Sequence, residues 1–190
     1  MPTLPRDPWV SVRTYHDLPA DQVISALQKE IRRGNTENAS LLAYEMLITS
    51  PALEDYLWKR LLVIAVEDIG YGDVMAPVLL NALHQAVLVF ERSMGERKLF
   101  AVHAVRYLCG CRKDRSSDEM INWMMRAVEG GLRPTIPDYA IDMHTAAGQA
   151  LGHDRRHFFE VGAQLHPELP GRDLTYRERI QAMLDSGELA

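Results

Sequence analysis

The chain is predicted to be all-α, a single compact domain of about eight helices. Apolar residues recur at helical intervals of three and four in one segment after another. Most of these segments stop at a glycine: Gly34, Gly70, Gly95, Gly110, Gly130–Gly131 and Gly152. No stretch shows the alternation of a half-buried strand, and there is no internal repeat or low-complexity segment. At 190 residues one domain with a full core is the natural expectation. Three prolines within the first eight residues predict an extended N-terminal arm over 1–13, followed by a helical domain over 14–190.

Asp21 is placed to cap the first helix, whose inward face is Ile24, Leu27 and Ile31, with Gly34 as its stop. A second helix runs from about Thr36 with Ala39, Leu42, Ala43, Met46 and Leu47 inward, up to Pro51. The short connection makes these two an antiparallel hairpin. The third helix carries the stripe Leu57, Leu61, Ile64 and Ala65. A loop, YGDVMAP, leads to a strongly apolar and central fourth helix with Leu79, Leu83, Ala86, Val87 and Phe90. Leu99, Val102, His103, Tyr107 and Leu108 populate the fifth. Ser116 and Glu119 have the spacing of a capping box for the sixth, which presents Met120, Trp123, Met124, Ala127 and Val128. Pro137–Asp138 opens a seventh through Ile141, His144, Ala147 and Leu151. Thr175 and Glu178 form a second capping box before a last helix with Ile180, Met183 and Leu184.

The end of the third helix, RLLVIAVEDIG at 60–70, is the most informative string. Gly70 is suited to a left-handed closing residue. Glu67 and Asp68 then stand in the last turn, where the helix dipole disfavours acids. A cation should offset them: Lys59, Arg60 or another arginine of the fold, a partner, or a metal. Loop amides near Tyr71–Asp73 are an alternative source of hydrogen bonds.

The formal net charge is −5, which argues against indiscriminate nucleic-acid binding. The charge is uneven. Residues 92–115 hold seven cations (Arg92, Arg97, Lys98, Arg106, Arg112, Lys113 and Arg115) against the two acids Glu96 and Asp114. No apolar run is long enough to span a bilayer, and the N-terminus lacks the regions of a signal peptide. The two cysteines, Cys109 and Cys111, are too close for an easy disulfide and too few for a zinc site. They read as reduced thiols of a cytoplasmic protein.

The 60–70 string resembles the helix-end signature in the C-terminal region of the RarA, or MgsA, family of AAA+ ATPases linked to stalled replication forks. The upstream DQVISALQKEIRRGNTENASLLAYEML and the downstream PVLLNALHQAV and ERKLFAVHAVRYLCGCRKDRSSDEMINWM resemble that family's neighbouring helices. The likeness covers roughly residues 14–152. Two departures accompany it. No Gly-x-x-x-x-Gly-Lys-Ser/Thr loop is present, since Gly34, Gly70, Gly72 and Gly95 have no lysine at the required offset, so no ATPase activity is carried over to this chain. The family's tyrosine- and histidine-rich end is also unmatched by GHDRRHFFEVGAQLHPELPG at 152–171.

His153 and His157 are spaced to share one helix face, but Arg155 and Arg156 between them oppose a cation. With Asp142 and His144 they form a possible ligand or partner site beside the small residues Ala146, Ala147, Gly148 and Ala150. His16–Asp17 is the pair used by metal-dependent HD phosphohydrolases, with His84, Asp68 or Asp142 as nominal further ligands. Arg112, Lys113 and Arg115 lie between a helix end and a helix start, a setting that fits phosphate contact. Arginines beside Cys109 and Cys111 are able to lower a thiol pKa, yet inert thiols are the plainer reading. No catalytic residue, metal or cofactor is assigned.

The resemblance implies a non-catalytic oligomerisation or adaptor domain, in the family typically tetrameric, associated with replication or recombination. Its implied partners are further copies of itself and a replication or repair ATPase, with weak DNA binding and no membrane. The alternatives are a small helical metal-dependent hydrolase using His, Asp and Glu ligands, and an accessory DNA-binding factor.

Overall fold

The computed structural model describes residues 7–189. Among them the fold is all-α, and the only strand-like pairing is an isolated bridge between Arg13 and Pro19. The chain forms two compact units, one reaching to Gly130 and the other beginning at Gly131. Part of the predicted arm, residues 1–6, lies outside the described residues. Pro8–Ser11 is a 3-10 turn rather than extended chain, because the Asp7 carboxylate accepts the Trp9 amide at 2.9 Å.

The first unit is built from α1 (Ala20–Arg33), α2 (Thr36–Thr49), α3 (Pro51–Ile64), α4 (Ala76–Val87), α5 (Glu96–Gly110) and α6 (Ser116–Glu129). α1 and α2 form the expected hairpin, closed by Gly34 in the left-handed conformation (φ 76°). Asp21 is inside the first turn of α1, and Pro19 holds the cap position. The core joins Val23, Leu27 and Ile31 of α1 to Ala39, Ala43 and Met46 of α2 and to Leu53, Leu57, Trp58, Leu61 and Ile64 of α3. α5 packs on α2 through Ala101, Ala104, Val105 and Leu108, small residues that allow close approach.

That stripe departs from the expected one. Leu99 is 68% exposed and His103 is also exposed, so His103 is not a core or groove histidine. Two overlapping apolar stripes exist on α5, and the alanine-rich one faces α2 because it permits the tighter contact. A similar shift occurs on α4, where Leu80 rather than Leu79 is fully buried. α4 ends at Val87.

A buried charge holds the end of α4. The Arg97 Nε donates to Glu54 Oε1 at 2.6 Å, and its Nη1 donates to the Val87 and Phe90 carbonyls at 3.1 and 2.8 Å. Neither Arg97 nor Glu54 exceeds 5% exposure. Arg97→Met should therefore lower stability by about 3–5 kcal/mol, since it leaves the buried Glu54 carboxylate with the half-exposed Arg92 alone and strips two carbonyls of their donor. Urea unfolding followed by circular dichroism measures this, and an unchanged midpoint would contradict it.

The predicted capping boxes are replaced by aspartates. Asp114 Oδ1 accepts the Ser116 amide at 2.9 Å and Asp173 Oδ1 accepts the Thr175 amide at 2.9 Å, while Glu119 and Glu178 make no return bond. In each case an aspartate before the helix competes successfully for the first amides.

The second unit contains α7 (Ala146–Ala150), α8 (Arg155–His157) running into a π turn at Phe158–Gly162, and α9 (Thr175–Ser186). The long seventh helix expected from Pro137 is broken. Asp138–Ala140 is a 3-10 turn, Asp142 accepts the His144 amide at 2.9 Å, and Thr145 caps α7 through the Gly148 amide at 3.0 Å. A Cβ on Gly148 would fall 1.9 Å from the Asp142 carbonyl, so the small residues admit their own preceding loop. Leu184 is the one buried large apolar side chain among the described residues of this unit.

Candidate functional site

α3 does not end in an ordinary helical turn. Ala65–Ile69 widens into a π turn, with the Gly70 amide donating to the Ala65 carbonyl. The extra residue turns Asp68 inward, where it is fully buried. Its Oδ1 accepts from Arg32 Nε and Arg115 Nη1, both at 2.5 Å, and its Oδ2 accepts from Gln28 at 2.9 Å. Glu67 Oε1 accepts from Gln28 at 2.8 Å, Arg115 at 3.3 Å and Arg32 at 3.4 Å. Burial pushes the Asp68 carboxyl upward, but the hydrogen bonds from Arg32, Gln28 and Arg115 outweigh it and hold the pKa below its ordinary value.

The offsetting cations are thus Arg32 and Arg115, each distant in sequence. Arg60 donates instead to Gln28 Oε1, and Lys59 takes no part. The amide of Tyr71 serves Asp114 Oδ2 at 3.2 Å rather than Glu67 or Asp68.

The loop after the π turn is pressed onto residues 112–114. Gly70 has φ 50° and ψ −128°, which is not the left-handed helical region expected of a closing glycine. A Cβ there would lie 2.4 Å from the Asp114 carbonyl oxygen, and one on Gly72 would lie 2.4 Å from that of Arg112. The Asp114 amide donates to the Asp68 carbonyl at 3.1 Å. Asp73 completes the junction, accepting from the Tyr107 hydroxyl at 2.6 Å, a bond that raises the Tyr107 pKa. Burial likewise raises Cys109 and Cys111, so neither thiol is activated.

Three of the seven cations in the stretch 92–115 are paired with carboxylates, most of them far away in sequence. Arg92 pairs with Asp55 at 2.7 Å and Glu54 at 2.9 Å, Arg97 with Glu54, and Arg115 with Asp68, Glu67 and Asp118. Lys113 turns back onto the end of α5, donating to the Leu108 and Cys109 carbonyls at 3.0 and 3.1 Å. Of the three residues expected to meet phosphate, Lys113 and Arg115 are engaged internally and Arg112 stays exposed.

Outside this buried junction lies an apolar groove of about 450 Å³, lined by Leu62, Val63, Val66 and Ile121 with Glu67, Ser117 and Asp118 at its polar edge. α6 buries none of its residues. Its apolar side chains Met120, Ile121, Trp123, Met125 and Val128 are all about half exposed or more.

In the second unit, Asp142, His144, His153 and His157 are brought close together. The His144 ring meets Asp142 Oδ2 at 3.2 Å and the edge of Phe158, with centroids 5.0 Å apart. The His153 and His157 rings stack at 3.8 Å, with His153 Nδ1 on the Ile141 carbonyl. Stacked rings do not point their lone pairs at one ion, unlike two histidines converging from a helix face. The other nominal ligands are scattered within the first unit. His16 binds Glu45 at 2.6 Å, His84 stacks on Trp58, and Asp68 belongs to the arginine cluster. Among the described residues no group of three or more His, Cys, Asp or Glu side chains is arranged to hold a metal ion.

Residues 34–166 match the family model described as the C terminal of the MgsA AAA+ ATPase. The chain belongs to the MgsA AAA+ ATPase C-terminal family. Two curated relatives are similar to it. Over 141 residues it is 36% identical to "Replication-associated recombination protein A" of Bacillus subtilis, covering 72% of this chain and 32% of that protein. Over 143 residues it is 27% identical to an uncharacterized AAA domain-containing protein of Mycobacterium tuberculosis, covering 73% and 30%. The chain therefore matches just under a third of the length of each relative. The MgsA match begins later and runs further than the span 14–152 read from the sequence. It takes in Glu67, Asp68, Gly70, Asp114 and Arg115, and the histidine cluster of the second unit, but not Gln28 or Arg32. Among the described residues no helix is long and apolar enough to cross a membrane.

Sequence reasoning missed Gln28, Arg32 and Asp114 as members of the junction. Arg32 stands in the last turn of α1, where a basic residue suits the helix dipole whatever else it touches. The signal available was an unpaired acid pair at 67–68, which demanded cations without saying from where.

Proposed function

We propose that this chain is a non-catalytic oligomerisation and adaptor domain that serves an ATPase of DNA replication or recombination. The observation that supports it is α6, a helix carrying five large apolar side chains and burying none of them. Monomeric proteins rarely expose so continuous an apolar surface without a partner for it. The groove beside α6 extends that surface onto Val63 and Val66 of the preceding helix end. The Asp68 junction anchors the start of α6, since Arg115 and Asp114 immediately precede its first turn. The name of the Bacillus subtilis relative supplies the process, and family resemblance supplies the tetramer. Residues 1–190 hold no phosphate-binding loop, so in this reading the nucleotide chemistry lies outside them.

Light scattering at micromolar concentration should give an oligomer's mass. The triple variant Ile121→Asp, Trp123→Glu, Met125→Lys should shift it to the monomer without loss of helical signal, because these side chains are exposed in the single chain. A monomeric wild type, or a variant that assembles as before, would overturn the proposal.

A further inference from the structure

The second unit contains a cleft of about 200 Å³ lined by Phe159, Ala163, Arg172, Arg177 and Ile180. One wall is apolar and the other carries two guanidinium groups. Both guanidiniums converge on a single carboxylate oxygen, Glu168 Oε1, with Arg172 Nη2 at 2.8 Å and Arg177 Nη1 at 3.4 Å. Glu168 does not line the cleft and is itself 42% exposed. One carboxylate thus serves two cations, and a unit of positive charge remains uncompensated. The Arg172 Nε is also buried and meets no acceptor among the described residues.

We infer that this cleft binds the C-terminal carboxylate of a peptide ending in an apolar residue. The planar guanidinium fork matches a carboxylate. Phe159, Ala163 and Ile180 supply the surface against which an apolar side chain is buried. The volume suits one residue rather than an extended segment. A phosphate fits less well, because the apolar wall would leave some of its oxygens without donors. Glu168 acts as an internal competitor that holds the two arginines in place until the ligand arrives. Arg172, Arg177 and Ile180 lie past the residues matched by the family model while Phe159 and Ala163 fall within them, and the inference does not rest on the adaptor reading.

The test is an NMR titration of the full chain with N-acetyl-leucine, N-acetyl-leucinamide and inorganic phosphate. N-acetyl-leucine should shift resonances of Phe159 and Ile180, and the amide should bind at least about tenfold more weakly because it lacks the charge. Arg177→Gln, at a half-exposed side chain, should weaken binding, and Glu168→Gln should strengthen it by removing the competitor. Four outcomes would overturn the inference: equal binding of the amide, phosphate binding as tight as that of N-acetyl-leucine, undiminished affinity in Arg177→Gln, or no shift at millimolar ligand.

Discussion

Asp68→Asn is expected to be among the most destabilising single changes in this protein, lowering stability by about 3–5 kcal/mol. The carboxylate is fully buried, and it is the shared acceptor of Arg32, Arg115 and Gln28. An amide of the same shape keeps the volume and forfeits the charge. It also turns one acceptor atom into a donor, facing groups that only donate. The two arginines are then left half-buried around a neutral group. At about 2–4 °C per kcal/mol for a chain of this size, the melting temperature should fall by roughly 6–20 °C. Glu67→Gln should cost about 1 kcal/mol or less, because Glu67 is partly exposed and its longer contacts are screened. Thermal melts of both variants check the order. Equal, small shifts would mean that the arginine cluster does not hold the end of α3.

The same carboxylate makes stability depend on pH, with a definite sign. The Asp68 pKa is depressed in the fold. Its contribution is therefore present above the unfolded carboxylate pKa of about 4, and it is lost as pH falls through the lower folded value. Acidification below about pH 4 should destabilise the wild type more steeply than Asp68→Asn. Parallel pH–stability curves for the two proteins would contradict the assignment.

Gly70→Ala should have the second large effect, about 2–5 kcal/mol, from backbone strain and a steric clash together. The φ of 50° with ψ of −128° suits glycine, and the new Cβ would sit 2.4 Å from the Asp114 carbonyl oxygen. That oxygen is backbone in a segment pinned by the Asp114 amide to Asp68, so it has little room to retreat. Gly95→Ala is the control. Its φ is −65° and a Cβ there meets nothing within 4 Å, so stability should change by less than about 0.5 kcal/mol. Urea midpoints of the two variants decide the matter, and a Gly70→Ala protein as stable as Gly95→Ala would show that the loop adapts.

Much of the fold was legible because helix signals are local. Apolar spacing located α1, α2 and α3 and their buried faces, and Gly34 marked a true stop. Where two stripes overlapped, as on α5, spacing alone did not choose between them. The choice fell to the stripe of alanines because α2 packs against it. Caps were misread for a related reason. Ser116 and Glu119 have the right spacing, yet Asp114 is held by the Tyr71 amide and is already in position to take the first amide of α6.

The sequence by itself determined that the chain is helical, that it carries no phosphate-binding loop, and that acids at 67–68 require cations. It also carried the family resemblance, because order and spacing of helices survive in a linear string. Only the tertiary structure decided which cations answer those acids. It showed that Arg92, Arg97 and Arg115, three of the seven cations over 92–115, are paired with Glu54, Asp55, Glu67 and Asp68, and that α6 remains uncovered. Electrostatic energy depends on distance in space, screened in physiological salt over roughly 8–10 Å, whereas local charge counts depend on distance along the chain. Folding brings residues nearly fifty positions apart to 2.5 Å, and at that point the string no longer describes the field.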